Sequence, residues 1–416
     1  MNTFEEIESE VRSYCRSFPV VFNKAKGAKL ITKDGKEYLD FFAGAGTLNY
    51  GHNHDVLKEE LVNYISEDRI LHGLDMMTEA KDDFLKTFKE KILSPRNLNM
   101  KVMFPGPTGT NSVEAALKLA RKVKIRTKVM AFTNAFHGMT QGALATTGNE
   151  MKRHGAGIPL TGVDFVPYDG YHGKNIDTSE MLEHYLKDAG SGYDVPAAII
   201  VETVQGEGGV NTASGEWLKK IQNICKNHDI LFIVDDIQIG CGRSGKFFSF
   251  EEFGLDPDMI CLSKSLSGYG LPFAVTLFKP ELDIWKPGEH NGTFRGNNFA
   301  FITAKKAFDH FWSDEAFAQD VTKKGKMARE RLERIAGNSS ESLKVKGRGM
   351  MLGLEFIDNH ELADKLSAQC FQNGLVIETS GINDQVLKHL PSLTMTEDEL
   401  NQGFDIIEKS LKEITS

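Results

Sequence analysis

Short apolar runs alternate with segments of helical period in the central part of the chain. The runs are KVMFP at 101–105, KVMAF at 128–132, VDFVPY at 163–168, AAIIVET at 197–203, ILFIVDDI at 230–237, MICLSK at 259–264 and FAVTLF at 273–278. In the intervening segment NSVEAALKLARKV, the residues Val113, Ala116, Leu117 and Ala120 fall on one helical face. Because strands that are apolar throughout are typically buried on both faces, the pattern predicts an α/β layered fold with a largely parallel sheet.

The two ends of the chain have different patterns. Near the N-terminus, GAKLITKDGKEYLDFF at 27–42 predicts a hairpin whose turn is Lys-Asp-Gly-Lys at 33–36. After about residue 300, two longer helical patterns at 300–312 and 315–335 precede a compact α+β ending. We therefore predict a large central α/β domain and a smaller domain built from both ends of the chain. The predicted segments are 1–60 and 305–416 for the small domain and 61–304 for the large domain.

Composition narrows the range of partners and compartments. The formal net charge of -9 and the pI near 5.8 argue against nucleic acid or an anionic membrane as a partner. The five cysteines are scattered without a CxxC pair, which is typical of reduced thiols in a cytoplasmic protein. The acidic N-terminus resembles no secretory signal, and no apolar run is long enough for a membrane span.

Gly109, Thr110 and Asn111 follow the first apolar run and open a predicted helix. A helix N-terminus presents free N–H groups, so this turn suits a phosphate, although Thr and Asn are also common N-cap residues. Phe136 follows the next run, where its ring either stacks on a flat ligand or packs in the core.

A carboxylate and an amine follow two other apolar runs, at Asp235 and Lys264. Ligands of open α/β sheets bind beyond the carboxyl ends of the strands, so these groups are expected to meet on one rim. Taken alone, Asp235 is equally well explained as a turn aspartate, and Lys264 as a surface lysine. Together with a phosphate-binding turn and an aromatic ring, they match the requirements of pyridoxal phosphate. No metal site is expected, because His52 and His54 have no further Cys or His at ligand spacing.

Four ordered motifs identify a family resemblance over nearly the whole chain. They are IIVETVQGEGG at 199–209, VDDIQIGCGRSG at 234–245, LSKSLSGYGLP at 262–272 and GTFRGN at 292–297. With these motifs the chain resembles the class III pyridoxal-phosphate aminotransferases. The resemblance implies fold type I, with a mostly parallel seven-stranded sheet in the large domain, and at least a homodimer with shared active sites.

The resemblance also implies roles for individual residues. Lys264 would condense with the cofactor and then shuttle a proton, and Asp235 would pair with the ring nitrogen. Gln238 would contact the ring hydroxyl, and Phe136 would stack on the ring. The further cofactor contacts that it implies are Gly109, Thr110, Asn111, His137, Glu202 and, from a partner subunit, Thr293.

Substrate contacts depart from the family pattern. Met139 stands where relatives carry a carboxylate-binding arginine, and Lys388 stands where they carry an arginine that pairs with the glutamate at Glu207. Lysine lacks the bidentate fork of arginine, so we expect a different carboxylate site built from a movable Glu207–Lys388 pair, with Arg348 as a further candidate.

Three stretches, FFAGAGTLNYGHNHD, MFPGPTGTNSVEAALKLAR and DDIQIGCGRSGKFFSFE, are most similar to the diaminobutyrate-forming members of the class. That resemblance implies transfer of an amino group from glutamate to aspartate 4-semialdehyde, in ectoine biosynthesis and osmoadaptation. A 4-aminobutyrate or acetylornithine type of aminotransferase and a non-catalytic ligand sensor remain as alternatives.

Overall fold

The seven apolar runs form a single seven-stranded sheet, as the pattern predicts. The computed structural model describes residues 3–173 and 175–415. In spatial order the strands are Lys101–Met103, Val275–Phe278, Met259–Leu262, Leu231–Asp235, Ala198–Val201, Val129–Phe132 and Val163–Val166. Val275–Phe278 is antiparallel to its two neighbours. The pairs among the other five strands from Met259–Leu262 to Val163–Val166 are parallel, so their carboxyl ends meet on one rim of the sheet.

Helices cover the sheet and fill the smaller part of the molecule. The helix Gly109–Lys124 packs its predicted apolar face against the sheet, and all four predicted residues on that face are fully buried. The α-helices of the described residues are Thr3–Ile7, Tyr14–Ser17, Ala43–Gly46, Asp55–Ser66, Glu79–Thr87, Gly109–Lys124, Gln141–Ala145, Glu150–His154, Thr178–Lys187, Gly215–Asn227, Asn298–Phe311, Ala316–Asn338, Glu361–Gln372 and Glu397–Thr415. Within the described ranges, no helix combines the length and the apolar character that a membrane crossing requires.

Strands from both ends of the chain build one small sheet. Its order is Phe22–Lys26, Lys29–Thr32, Glu37–Asp40 and Leu375–Val376. The predicted hairpin is confirmed, because the second and third strands pair antiparallel around a turn in which Gly35 has a φ of 89°. The C-terminal strand pairs parallel with Glu37–Asp40, which ties the two ends of the chain together.

A second small sheet carries the C-terminal candidate residues. Its order is Leu343–Arg348, Met351–Phe356, Val386–His389 and Glu378–Ser380, with antiparallel pairing throughout. A two-stranded ribbon, Val204–Gln205 with Asn211–Thr212, lies in the segment that contains Glu207. The predicted domain boundaries stay a prediction, and the one at 304/305 falls inside the helix Asn298–Phe311.

Candidate active site

A pocket lies beyond the carboxyl ends of the parallel strands, where the sequence places the candidate chemistry. Most of the predicted site residues line it. The lining residues are Gly109, Thr110, Phe136, His137, Gly138, Glu202, Val204, Glu207, Asp235, Ile237, Gln238, Ile239 and Lys264. The sheet explains this arrangement, because Glu202, Asp235 and Lys264 lie at or just beyond the ends of three adjacent parallel strands.

Lys264 follows the fully buried strand Met259–Leu262 and begins a short 3₁₀ turn. Its φ of 49° is in the left-handed region, which costs energy for a residue with a Cβ and is concentrated at functional sites. Its Nζ atom donates a hydrogen bond to the carbonyl oxygen of Ala45 at 2.8 Å. Burial lowers the pKa of Lys264 below its usual value, although the carboxylate of Glu207 opposes this effect. The lysine is thereby favoured as a nucleophilic amine.

Asp235 ends the strand Leu231–Asp235 and is held from two sides. The backbone N–H of Ile237 donates to its Oδ1 atom at 3.1 Å, and Nδ1 of His137 lies 2.7 Å from its Oδ2 atom. Both His137 and Asp235 are buried. This carboxylate is therefore fixed in direction inside the pocket, which suits it to hold a cation or a protonated ring nitrogen.

Glu202 is a second carboxyl group in the same pocket, and its environment shifts its pKa. Burial first and then the negative charge of Asp235 raise the pKa of Glu202 well above its usual value. Its Oε1 atom accepts the backbone N–H of Phe136 at 2.9 Å. Two nearby carboxyl groups thus occupy distinct environments in one pocket.

The helix that begins at Gly109 places its first turn at the pocket. Gly109 and Thr110 line the pocket, and N–H groups in a first helical turn have no acceptor within the helix. Asn111 is not among the lining residues. Its Oδ1 atom instead accepts hydrogen bonds from the backbone N–H and the hydroxyl of Thr108, at 3.1 and 2.8 Å. The Asn111 side-chain carbonyl thus caps the helix, and the expected contact of Asn111 with the phosphate stays a prediction.

Glu207 and Lys388 form the predicted pair. Nζ of Lys388 donates to Oε1 of Glu207 at 2.8 Å, and the amide of Gln238 donates to the same oxygen at 2.9 Å. Although burial acts to raise it, the charges of Lys388 and Lys264 hold the pKa of Glu207 below its usual value. Burial acts to lower the pKa of Lys388, but its carboxylate partners raise it above the usual value. Both members of the pair are therefore ionised at neutral pH.

The structure adds a residue that the sequence interpretation missed. Oε1 of Glu378 lies 2.9 Å from Nζ of Lys388, so the buried ammonium is shared by two carboxylates. Glu378 and Lys388 are cross-strand partners in the register of the second small sheet. Only the pairing of their strands brings them together, and no spacing along the chain predicts it.

Two other candidates lie outside the lining of this pocket. Arg348 donates to the hydroxyl of Thr203 at 3.0 Å and to the carbonyl oxygen of Ser249 at 2.8 Å, and it pairs with Glu252. Its guanidinium links neighbouring segments and does not line the pocket, which favours structural support, and the substrate contact expected of it stays untested. Thr293 is exposed on the turn Thr293–Arg295 and does not line the pocket of its own chain.

The match to a known family covers almost all of the chain. The model of the family described as aminotransferase class-III matches residues 12–411. The chain belongs to the class III aminotransferases. The expected resemblance and the fold type I architecture are thus confirmed.

Several full-length relatives of this class III aminotransferase share one name. The diaminobutyrate–2-oxoglutarate transaminase of Halalkalibacterium halodurans is 56% identical over 413 residues, which cover 99% of this chain and 96% of the relative. The transaminase of the same name from Halomonas elongata is 54% identical over 416 residues and 99% of each chain. A structure of the ornithine aminotransferase from Toxoplasma gondii, with partial occupancy of PLP at its active site, has a TM-score of 0.86. It is 27% identical and covers 99% of this chain and 93% of that one.

The family identifies pyridoxal phosphate as the cofactor, and the pocket fits that group. The site offers an amine at Lys264, a fixed carboxylate at Asp235 and a helix N-terminus at Gly109. Space at the helix start depends on glycine, because a Cβ added at Gly109 would lie only 3.0 Å from Cδ1 of Ile237. The amine, the carboxylate and the helix N-terminus supply what the cofactor needs for its aldehyde, its ring nitrogen and its phosphate, respectively.

Proposed function

We propose that this class III aminotransferase moves an amino group from L-glutamate to L-aspartate 4-semialdehyde, giving 2-oxoglutarate and L-2,4-diaminobutyrate. The observation that carries the proposal is the 53–56% identity, over nearly whole chains, to transaminases named for diaminobutyrate and 2-oxoglutarate. Three structural neighbours named for ornithine or acetylornithine are 25–27% identical. Supply of diaminobutyrate to ectoine biosynthesis for osmoadaptation is part of the proposal, and the cytoplasmic location stays a prediction.

When bound, pyridoxal phosphate supplies an electron sink that stabilises negative charge at the reacting carbon. Lys264 is the proposed residue that binds the cofactor covalently and, once released, moves the proton at the reacting carbon. Its buried position lowers its pKa, and its hydrogen bond to Ala45 directs the amine within the pocket. Asp235, oriented by His137, is the proposed carboxylate that keeps the ring nitrogen protonated.

The remaining proposed cofactor contacts surround these two residues. Gly109 and Thr110 would bind the phosphate from the helix N-terminus, and Phe136 would stack on the ring. Gln238 is near enough to Glu207 to donate a hydrogen bond, and we propose that it also contacts the ring hydroxyl. Glu202, whose pKa burial raises, lines the same pocket and is a further proposed contact of the cofactor.

Glutamate reacts beside its α-carboxylate, whereas the semialdehyde reacts at the end that has no carboxylate. We propose that Glu207 covers Lys388 during the second half of the reaction and gives way to the α-carboxylate of glutamate during the first. An exchange of one carboxylate for another leaves the charge beside Lys388 unchanged, so no ammonium is left buried and unpaired. The side chain of Glu207 is 22% exposed and lines the pocket, which supports its role as the exchangeable partner.

We also propose a homodimer in which Thr293 contacts the phosphate in the partner subunit. Thr293 is exposed, and the neighbouring Phe294 is 66% exposed. An apolar cavity next to them supports a contact surface. It is lined by Leu71, His72, Pro107, Leu271, Pro272, Phe294, Asn297 and Phe299. Exposed apolar surface of this kind is typical of protein interfaces.

Single-turnover absorbance tests the proposal directly. Purified holoenzyme should lose the visible absorbance of its cofactor when mixed with glutamate or with diaminobutyrate, each acting as an amino donor. The products should be 2-oxoglutarate and aspartate 4-semialdehyde, identified by mass spectrometry. Control reactions contain the same holoenzyme with 4-aminobutyrate, ornithine or N-acetylornithine as the amino donor. A faster reaction with any of these than with diaminobutyrate would contradict the substrate assignment.

A further inference from the structure

The ammonium of Lys388 is fully buried and lies between two carboxylates that differ in accessibility. Glu207 lines the pocket and exposes 22% of its side chain. Glu378 exposes only 6% and does not line the pocket. Nζ of Lys388 is 2.8 Å from the first carboxylate and 2.9 Å from the second. One ammonium therefore has a pocket-facing partner and an interior partner at nearly equal distances.

Glu378 is fixed by its strand and by a residue from the far end of the chain. It lies opposite Lys388 in the pairing of Glu378–Ser380 with Val386–His389. Its Oε2 atom accepts a hydrogen bond from the hydroxyl of Tyr14 at 3.3 Å. The Tyr14 ring packs against Phe42, with 4.8 Å between ring centroids. The interior carboxylate is thus held from behind as well as along its strand.

A lysine at this position has a weakness that an arginine would not have. Its four-carbon stem has several rotatable bonds, and its ammonium has no planar fork to fix a direction. If Glu207 were its only partner, the interval between the departure of Glu207 and the arrival of the substrate carboxylate would leave a buried, unpaired charge on a flexible side chain. The contact with Glu378 removes both problems, because it persists while Glu207 exchanges.

We propose that Glu378, held by Tyr14, is a positioning residue that keeps the Lys388 ammonium in place and paired while Glu207 is replaced by a substrate carboxylate. This inference rests on the carboxylate exchange in the proposed function. Glu378 acts only through Lys388 and touches neither substrate nor cofactor. Its importance is greatest for the donor that places a carboxylate on Lys388, which is glutamate. Diaminobutyrate, which reacts at a carbon without a carboxylate, leaves Glu207 on Lys388.

The test compares glutamate and diaminobutyrate as donors to the same holoenzyme, using the loss of cofactor absorbance in single turnovers. In Glu378→Gln, the half-saturating concentration of glutamate should rise about tenfold, which corresponds to 1.4 kcal/mol, while that of diaminobutyrate stays within about threefold. Tyr14→Phe should also raise the half-saturating concentration of glutamate, but by a smaller factor. The matched control is Glu355→Gln, which removes a carboxylate 3.1 Å from Lys346 on a strand of the same sheet. Glu355→Gln should leave the half-saturating concentrations of both glutamate and diaminobutyrate unchanged.

Rescue by arginine separates positioning from general damage. In a Lys388→Arg background, the planar guanidinium needs no second partner to fix it, so adding Glu378→Gln should raise the half-saturating glutamate concentration less than about threefold. An equal loss in the lysine and arginine backgrounds, or equal losses for both donors, would overturn the inference. If Lys388→Met leaves glutamate saturation unchanged, the proposed carboxylate exchange fails instead. If the wild-type holoenzyme does not react with glutamate, the proposed function itself fails.

Discussion

The Nδ1 atom of His137 lies 2.7 Å from Oδ2 of Asp235, and both side chains are buried. The backbone N–H of Ile237 binds the other carboxylate oxygen. Asp235 therefore has a fixed orientation before any ligand enters the pocket. Its direction depends on a histidine 98 positions away in sequence, so the motif that contains Asp235 is incomplete without the motif that contains His137.

Replacing the histidine should weaken cofactor binding and slow the reaction without unfolding the protein. His137→Phe removes a hydrogen bond to a charged group, which contributes about 1.5–3 kcal/mol. We expect the dissociation constant of pyridoxal phosphate to rise by about tenfold or more. Titration of the apoenzyme, followed by protein fluorescence, measures this constant. His137→Asn keeps a hydrogen-bond donor near Asp235 and should therefore lose less affinity for pyridoxal phosphate than His137→Phe. Equal losses of affinity in the two variants would argue against the orienting role of His137.

Arg348 and Lys388 should respond to mutation in opposite ways. Arg348→Met removes the hydrogen bonds to Thr203 and Ser249, so we expect a loss of about 2–3 kcal/mol in the free energy of unfolding. Half-saturation by glutamate should not change, because this guanidinium does not line the pocket. Urea unfolding and single-turnover kinetics measure the two effects. The comparison variant is Lys388→Met, which should raise the half-saturating glutamate concentration. A raised half-saturating glutamate concentration in Arg348→Met would instead support a substrate-binding role for this arginine.

The main sheet and the rim of the site could be predicted because both follow from the local pattern. Strands that are buried on both faces must be apolar throughout, and a parallel sheet brings their carboxyl ends together. Asp235 and Lys264 were therefore identifiable as neighbours before any coordinates. Residues that lie at strand ends need only the strand assignment to be placed.

The supporting contacts could not be predicted in the same way. The hydroxyl of Tyr14 and the carboxylate of Glu378 are 364 positions apart along the chain, and only the shared small sheets and the packed N-terminal segment bring them together. Asn111 and Arg348 are difficult for another reason, because the sequence alone does not show which of several contacts their side chains make. Their residue types suit ligand binding, but an amide oxygen also caps a helix and a guanidinium also binds backbone carbonyls, and type alone does not distinguish these uses.

The apolar surface beside Thr293 should be required for self-association. Phe294→Asp places a charge on a ring that is 66% exposed, next to the residue proposed to contact the partner's cofactor. We expect the variant to sediment as a smaller species than the wild type and to bind pyridoxal phosphate more weakly, because burying an unpaired charge at an interface is costly. The control is Ile125→Asp, since Ile125 is 92% exposed and lies outside this surface. Unchanged sedimentation of Phe294→Asp would exclude this surface as the interface.

Asp236, directly after the site carboxylate, should make stability depend on pH. It is fully buried, and only its Oδ2 atom has a partner among the described residues, the backbone N–H of Ser249 at 3.0 Å. Burial raises the pKa of Asp236 to about 7. In the unfolded chain the same group releases its proton near its ordinary value of about 4. Between these values the folded state holds a proton that the unfolded state has lost.

The free energy of unfolding should therefore fall as the pH rises through this window, by up to about 1.4 kcal/mol per pH unit from this group. The contribution is fully present below the unfolded pKa and is lost as the pH passes through the folded value of about 7. Asp236→Asn cannot ionise, so the difference between the wild-type and variant curves in urea unfolding isolates the effect. Asp398→Asn, at an exposed position, should give a curve parallel to the wild type. A difference between wild type and Asp236→Asn that stays constant from about pH 5 to pH 8 would show that Asp236 is ionised throughout that range.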